Sequence, residues 1–343
     1  MTKTGLLFTS QPYFDESLAG FIIRLAELNH YDSPNWILAL SNLPRRNSFN
    51  LNFAELLGYD LSGLSQITGV QENILLSLSF PPNPTEWMEK HRRYFCDVFN
   101  NRVLAFSILR KNNKICPKCL LEMNYHRKIW DIALLTTCPI HNCILLDTCP
   151  CCKKKIMWSR PAVSKCKCKY DWREVPCNSL EEQEIVLSQQ IYYLCGYDIK
   201  TNVDVLGHNN PILHLDLEHL LKLISLLGAR FMKDNKSQRG TYLGVSRSNA
   251  KVHSILVEVV TLLNGYPSKF YQFFDELKAT EMQRLSRKPW NTLLQLYSDF
   301  HYMFVPSDYI DPSGQCYFLE DIYQQYQKHI NDTAINEEGN ISL

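Results

Sequence analysis

The sequence predicts a mainly α-helical protein with small cysteine-rich knuckle units at its centre. Apolar residues recur at helical spacing near the N-terminus, at Leu18, Phe21, Ile22, Leu25 and Leu28, and again from His214 to Leu227. Pro34, Pro44, Gly58, Gly63 and Gly69 cut the intervening stretch into short helices rather than one long one. Between Cys116 and Cys168, four closely spaced donor pairs fall within about fifty residues.

The first helix follows an extended start. Asp15 reads as its N-cap, with acidic Glu16 in the first turn, and Arg24 as an exposed or paired arginine on its edge. Leu61 to Leu78 then reads as a helix-turn-helix-like segment. A short helix holds Leu64 and Ile67, Gly69 makes the turn, and a second helix turns Ile74, Leu75 and Leu78 inward. Gln71, Glu72 and Asn73 open that second helix with no cation among them, a poor start for binding phosphate. Pro81 to Pro84 closes the region, and Trp87 to Arg110 leads into the knuckles.

The knuckles read Cys116-Pro117-Lys118-Cys119, Cys138-Pro139-Ile140-His141, Cys149-Pro150-Cys151-Cys152 and Cys166-Lys167-Cys168. Two such pairs complete a tetrahedral shell around one ion. Taken in sequence, Cys116, Cys119, Cys138 and His141 hold one zinc, and Cys149, Cys152, Cys166 and Cys168 a second. Four protein ligands leave no open position, so both Zn2+ ions are expected to be structural. Within the second site Cys151 is an alternative to Cys152, and Cys177 to Cys166 or Cys168. Cys143 and Cys151 read as spare thiols, and Cys96, Cys195 and Cys316 as small buried hydrophobes. His126 has no knuckle partner and is left unassigned. Leu120 to Leu134 reads as a strand or turn followed by a helix carrying Trp130 and Leu134, with Trp158 and Trp172 packing near the second site. Disulfides are disfavoured: nothing at Met1 to Phe8 resembles a secretory leader, and thiols stay reduced in the cytoplasm.

Beyond Ser179 the pattern is helical. Tyr192 to Leu194, His214 to Leu227 and Val252 to Gly265 fall on separate helices, and Pro267 starts an amphipathic one through Phe270, Phe273 and Phe274. Lys233 to Gly240 is a basic polar loop. The expected layout is an N-terminal helical domain over 1–110, a double zinc unit over 111–178, a C-terminal helical domain over 179–330 and a disordered tail over 331–343.

The 343 residues are 45% hydrophobic and 21% charged, an ordinary globular composition. No apolar run approaches the roughly 18 residues needed to cross a bilayer, so no membrane partner is expected. A net charge of +1 hides a basic centre: Lys111 to Arg173 holds 13 Lys and Arg against 4 Asp and Glu. That excess reads either as a nucleic-acid footprint or as balance for the zinc thiolates.

Specific residues carry a resemblance to the TniQ/TnsD family of transposon target selectors. They are Pro12-Tyr13, Glu16-Ser17-Leu18 and Arg24-Leu25-Ala26, then Cys116-Pro117-Lys118-Cys119-Leu120, Tyr125, Trp130, Cys138-Pro139-Ile140-His141, Leu145 and Cys149-Pro150-Cys151-Cys152. Asn264-Gly265-Tyr266-Pro267 with Phe270 and Phe273-Phe274 is similar to the family's later helical element, although Tyr266 stands where Trp is usual. The resemblance covers 8–175 well and 180–280 loosely. It implies a bacterial cytoplasmic adaptor that meets a DNA site or an RNA-guided CRISPR effector and recruits an AAA+ ATPase regulator of the TnsC type. The short chain is most like the TniQ type that docks on Cascade, in which homodimers are known. A sequence-specific DNA-binding selector is the alternative. An enzyme such as a nuclease is disfavoured, because no HExxH and no carboxylate cluster in one segment is present. Nucleic-acid-binding residues are not assignable from the sequence.

Overall fold

The computed structural model describes residues 5–44, 51–52, 58–81, 95–109, 112–208, 210–231, 247–273, 275–276 and 328. Trp87, Pro82 to Pro84, the Lys233 to Gly240 loop, Phe274, Cys316 and the 331–343 tail lie outside them. The chain divides into two compact units, one of Met1–Val205 with Asp216–Val260, the other of Leu206–Leu215 with Thr261–Leu343. Helix dominates the described residues, and two two-stranded sheets accompany it.

The first unit is built around α1 (Leu18–Leu28), whose residues from Leu18 to Ile23 are all buried together with Leu25 and Ala26. Its N-cap is Ser17, whose Oγ accepts from the Gly20 N–H at 3.1 Å. The expected cap, Asp15, lies two residues further back and is fully buried beside an equally buried Glu16. Both carboxylates are occupied by tertiary partners instead. Asp15 accepts from Tyr125 Oη at 2.7 Å, Arg127 Nη1 at 2.8 Å and Tyr197 Oη at 2.8 Å. Glu16 receives Arg24 on both oxygens, from Nε at 2.8 Å and Nη2 at 2.7 Å.

The backbone follows the same route. The Ser17 N–H donates to the His126 carbonyl, the Lys128 N–H to that of Asp15, and Glu16 pairs antiparallel with Arg127. This closeness dictates Gly20: a Cβ there would sit 2.6 Å from His126 Cβ. The segment that joins the first two knuckle pairs is thereby held against α1.

Three short helices follow: α2 (Asn35–Leu40), α3 (Ser62–Thr68) and α4 (Glu72–Ser77). Gly69 ends α3 at φ 74°, the left-handed conformation that suits glycine. Leu64, Ile67, Leu75 and Leu78 are buried, as their spacing predicts. Ile74 is not: it is 38% exposed, because α4 has only six residues and buries Leu75 alone. A hairpin of β1 (Phe95–Val98) and β2 (Asn101–Leu104) pairs Phe95 with Leu104 and Val98 with Asn101. Its turn residues, Phe99 and Asn100, both have positive φ, the geometry that matches strand twist in a two-residue turn.

The helix expected to carry Trp130 and Leu134 does not form. Lys128–Asp131 makes a single 3-10 turn, Ile132 is extended, and a turn closed by the Leu135 N–H on the Ile132 carbonyl follows. Trp130 and Leu134 are nevertheless fully buried. Lys114 reaches beneath this segment, and its Nζ donates to the carbonyls of Ile132 at 2.8 Å, Ala133 at 3.1 Å and Leu135 at 2.5 Å. Three carbonyls satisfy the three N–H bonds of an ammonium without any regular helix.

The knuckle helix is α5 (Pro117–Glu122), and the later helices are α6 (Glu182–Leu194), α7 (Val203–Leu206), α8 (Leu217–Arg230) and α9 (Asn249–Asn264). Glu181 and Glu184 form a capping box on α6. Tyr192 is buried on α6 while its neighbour Tyr193 is 59% exposed. Asp216 caps α8 through the His219 N–H at 2.8 Å. The Asn249 side chain, at the start of α9, donates to the carbonyls of Thr136 and Leu145, both at 2.8 Å. In the second unit, Asn210 donates to the carbonyls of Leu206 and Leu263, and Phe270 is buried. Helix resumes at Ser268, just past Pro267. Among the described residues, no helix is long and apolar enough to cross a membrane.

Candidate metal centres

The first donor cluster is assembled by α5 (Pro117–Glu122) and a tiny hairpin, β3 (Thr137–Cys138) and β4 (Cys143–Ile144). Cys116 occupies the N-cap of α5, its Sγ accepting from the Cys119 N–H at 3.5 Å, with Pro117 preset for the first helical turn. Cys138 ends β3, and His141 lies in the turn, its N–H donating to the Cys138 carbonyl. One donor atom from each of Cys116, Cys119, Cys138 and His141 lies within 4.8 Å of the rest.

Their separations discriminate between a metal shell and a disulfide. Cys119 and Cys138 Sγ are 3.6 Å apart, and a disulfide would need about 2.05 Å. Sulfurs at about 2.3 Å from a tetrahedral zinc stand about 3.8 Å apart, and a sulfur and an imidazole nitrogen about 3.6 Å. His141 Nδ1 lies 3.5 Å from Cys116, 3.2 Å from Cys119 and 3.7 Å from Cys138. Its other nitrogen, Nε2, contacts Glu122 Oε1 at 2.8 Å. A carboxylate on the far nitrogen is how metal-bound imidazoles are usually oriented.

The thiols of this cluster act on one another. The neighbouring thiols of Cys119, then Cys138 and Cys143, hold Cys116 well below the ordinary thiol range. Cys116 in turn drives Cys119 and Cys143 well above it, with burial adding to both. Without a counter-ion the pocket stabilises one thiolate at the expense of its neighbours. Cys143 is the cross-strand partner of Cys138 and is buried with its Sγ 3.6 Å from Cys116 Sγ. It adjoins the cluster without being one of the four. The spacing of a short hairpin between Cys138 and Cys143 is the sequence signal for that closeness.

The second cluster uses two loops, each closed by an antiparallel bridge. Thr148 pairs with Lys155 and Lys165 with Asp171. Within them the Lys153 N–H returns to the Cys149 carbonyl, and the Lys169 N–H to that of Cys166, each at 2.9 Å. Cys149, Cys152, Cys166 and Cys168 again place their donors within 4.8 Å, with Cys149 to Cys168 at 3.8 Å and Cys152 to Cys166 at 3.6 Å. Cys149 and Cys166 are buried and Cys168 is exposed. Cys151 is exposed outside this group, and Cys177 Sγ contacts its own neighbour, the Val175 carbonyl. Trp158 and Trp172 are buried nearby. Each cluster could therefore hold one metal ion, which would cross-link two loops that share little other secondary structure.

The remaining candidates have other roles. His126 is fully buried between Trp130 and Trp158, and its Nε2 meets Asp131 Oδ1 at 3.1 Å. Burial lowers its pKa, and it belongs to neither cluster. Cys96 and Cys195 are buried. Sequence reasoning missed the Asp15–Arg127 pair and, having read Arg24 as exposed or paired, did not name Glu16 as its partner.

Fold and donors together define a helical protein with two clusters, each able to hold a metal ion. Residues 7–145 match the TniQ family model. That match, over less than half of the chain, supports a TniQ-family protein and with it a transposition-related target-selection or adaptor role. The matched residues run from before α1 through the whole first cluster and end ahead of Cys149. No curated protein matched the chain.

Proposed function

We propose that the chain is a non-enzymatic adaptor in DNA transposition, linking an RNA-guided Cascade complex to an AAA+ regulator of the TnsC type. The TniQ match over 7–145 carries this reading. The closed donor sets support it, since each supplies four protein ligands and leaves no position for a substrate. Both ions are zinc in this reading, held by Cys116, Cys119, Cys138 and His141, and by Cys149, Cys152, Cys166 and Cys168. They serve to fix the loops. The double zinc unit over 111–178 then joins the helical segments before and after it, and the adaptor works as a homodimer.

Co-purification with Cascade subunits and with an AAA+ ATPase of the TnsC type tests the adaptor role. Capture of both is expected, and capture of neither would overturn it. Direct DNA selection is a second reading, supported by the α3–Gly69–α4 arrangement, which leaves Gln71, Glu72 and Asn73 exposed at the start of α4. Footprinting on the attachment site separates the two: sequence-specific protection without any CRISPR partner favours direct selection.

A further inference from the structure

The two loops that gather the second donor cluster also gather five lysines. Lys153 and Lys154 follow Cys152, Lys165 and Lys167 flank Cys166, and Lys169 follows Cys168. Each lies within two residues of a donor, and the four donor atoms fit within 4.8 Å. The five residues therefore start beside one compact donor cluster, and all five are exposed. The loop geometry fixes their origins, since Lys153 and Lys169 take left-handed φ of 59° and 70° at the loop tips.

Nearby cations are already matched. Lys155 pairs with Asp147, and Arg173 with Asp171 at 2.6 Å. Lys165 also lies within the field of Asp171. Lys153, Lys154, Lys167 and Lys169 make no ion pair among the described residues.

Charge balance for the metal shell explains only part of this. A dication with four thiolates carries two negative charges. Residues 147–174 hold eight Lys and Arg against three Asp and Glu, so the unit stays positive with the shell counted. Lysine is a compact, hydrated point charge without the planar fork of arginine. A cluster made of lysine suits attraction to backbone phosphates and carries no base readout.

We propose that Lys153, Lys154, Lys165, Lys167 and Lys169 form a face that holds the phosphate backbone of duplex DNA without regard to base sequence. The choice of DNA rests on the transposition reading above; the positive face does not. It gives the adaptor a weak, salt-sensitive hold on the duplex beside the site its partners select.

The test is anisotropy of the full chain with a short labelled duplex of arbitrary sequence, titrated from 50 to 200 mM salt. A Lys153→Ala, Lys154→Ala, Lys167→Ala, Lys169→Ala variant should bind at least tenfold more weakly at low salt. Its log–log salt slope should fall by about 0.9 for each phosphate that is no longer neutralised. The corresponding four-arginine variant should keep both affinity and slope. These exposed changes leave the donors intact, and an unchanged metal content checks that the unit is folded. The proposal is overturned if the parent chain does not bind the duplex, if the alanine variant binds within twofold of the parent, or if single-stranded RNA of equal length is preferred. Partner capture reads the adaptor role separately. A variant that loses the duplex but keeps its partners supports both inferences, and a parent that binds the duplex through these lysines but captures no partner removes the adaptor reading alone.

Discussion

Arg24 holds Glu16 with two nitrogens while also reaching Ser10 Oγ at 2.7 Å and the Gln11 carbonyl at 3.0 Å. Burial pushes the Glu16 carboxyl up, and Arg24 opposes that shift. Removing the arginine leaves a fully buried carboxylate without its cation. Breaking such a pair costs about 3–5 kcal/mol. Arg24→Ala should lose stability of that order in urea unfolding, and a Glu16→Gln, Arg24→Met double variant should recover part of it. A loss under about 0.5 kcal/mol for Arg24→Ala would show the pair to be incidental. At this scale the sequence is legible where chemistry is local. Cys116 and Cys119, or Cys138 and His141, are neighbours on any backbone that turns. Asp15 is not legible in the same way, because a buried acid waiting for Arg127 and an exposed cap look alike along the chain. Its partners lie 110, 112 and 182 residues away.

At the scale of elements, capping and close approach decide what forms. Asp216 accepts from both the backbone N–H and Nδ1 of His219 at 2.8 Å. Burial pushes its carboxyl up, but these hydrogen bonds prevail and hold it below the ordinary value of 3.8. A depressed carboxylate contributes stability that is present above its unfolded pKa and lost as pH falls through the folded one. Asp216→Ala should cost about 1 kcal/mol at pH 7, and the gap to the parent should close in acid below about pH 4. A gap that persists unchanged at pH 2 would contradict the cap.

Gly63 makes the opposite case to helix propensity. Alanine is worth about 1 kcal/mol over glycine in an exposed helix, yet a Cβ at Gly63 would lie 2.4 Å from the Ser41 carbonyl oxygen. Backbone cannot swing aside, so Gly63→Ala should destabilise by about 1–3 kcal/mol in thermal or urea unfolding; a stabilised variant would refute that close approach. Helical period predicts α1, α8 and α9 because each has a long apolar face. It fails at Trp130, where Lys114, Asp15, Ser107 and Leu109 supply the partners for the backbone that a helix would otherwise provide internally.

In the whole molecule, two metal shells would hold together a region with little regular structure of its own. The segment 112–178 contains only α5, the β3–β4 hairpin and two 3-10 turns, yet it anchors α1 through Asp15 and α9 through Asn249. Metal binding and folding should then be one equilibrium. The most direct measurement is elemental analysis of the folded, monodisperse chain, followed by circular dichroism during titration with a strong chelator. Two zinc ions per chain are expected, with thermal stability lost as they are removed. A well-folded chain containing no zinc, or one whose melting is unchanged after complete removal of metal, would contradict that expectation.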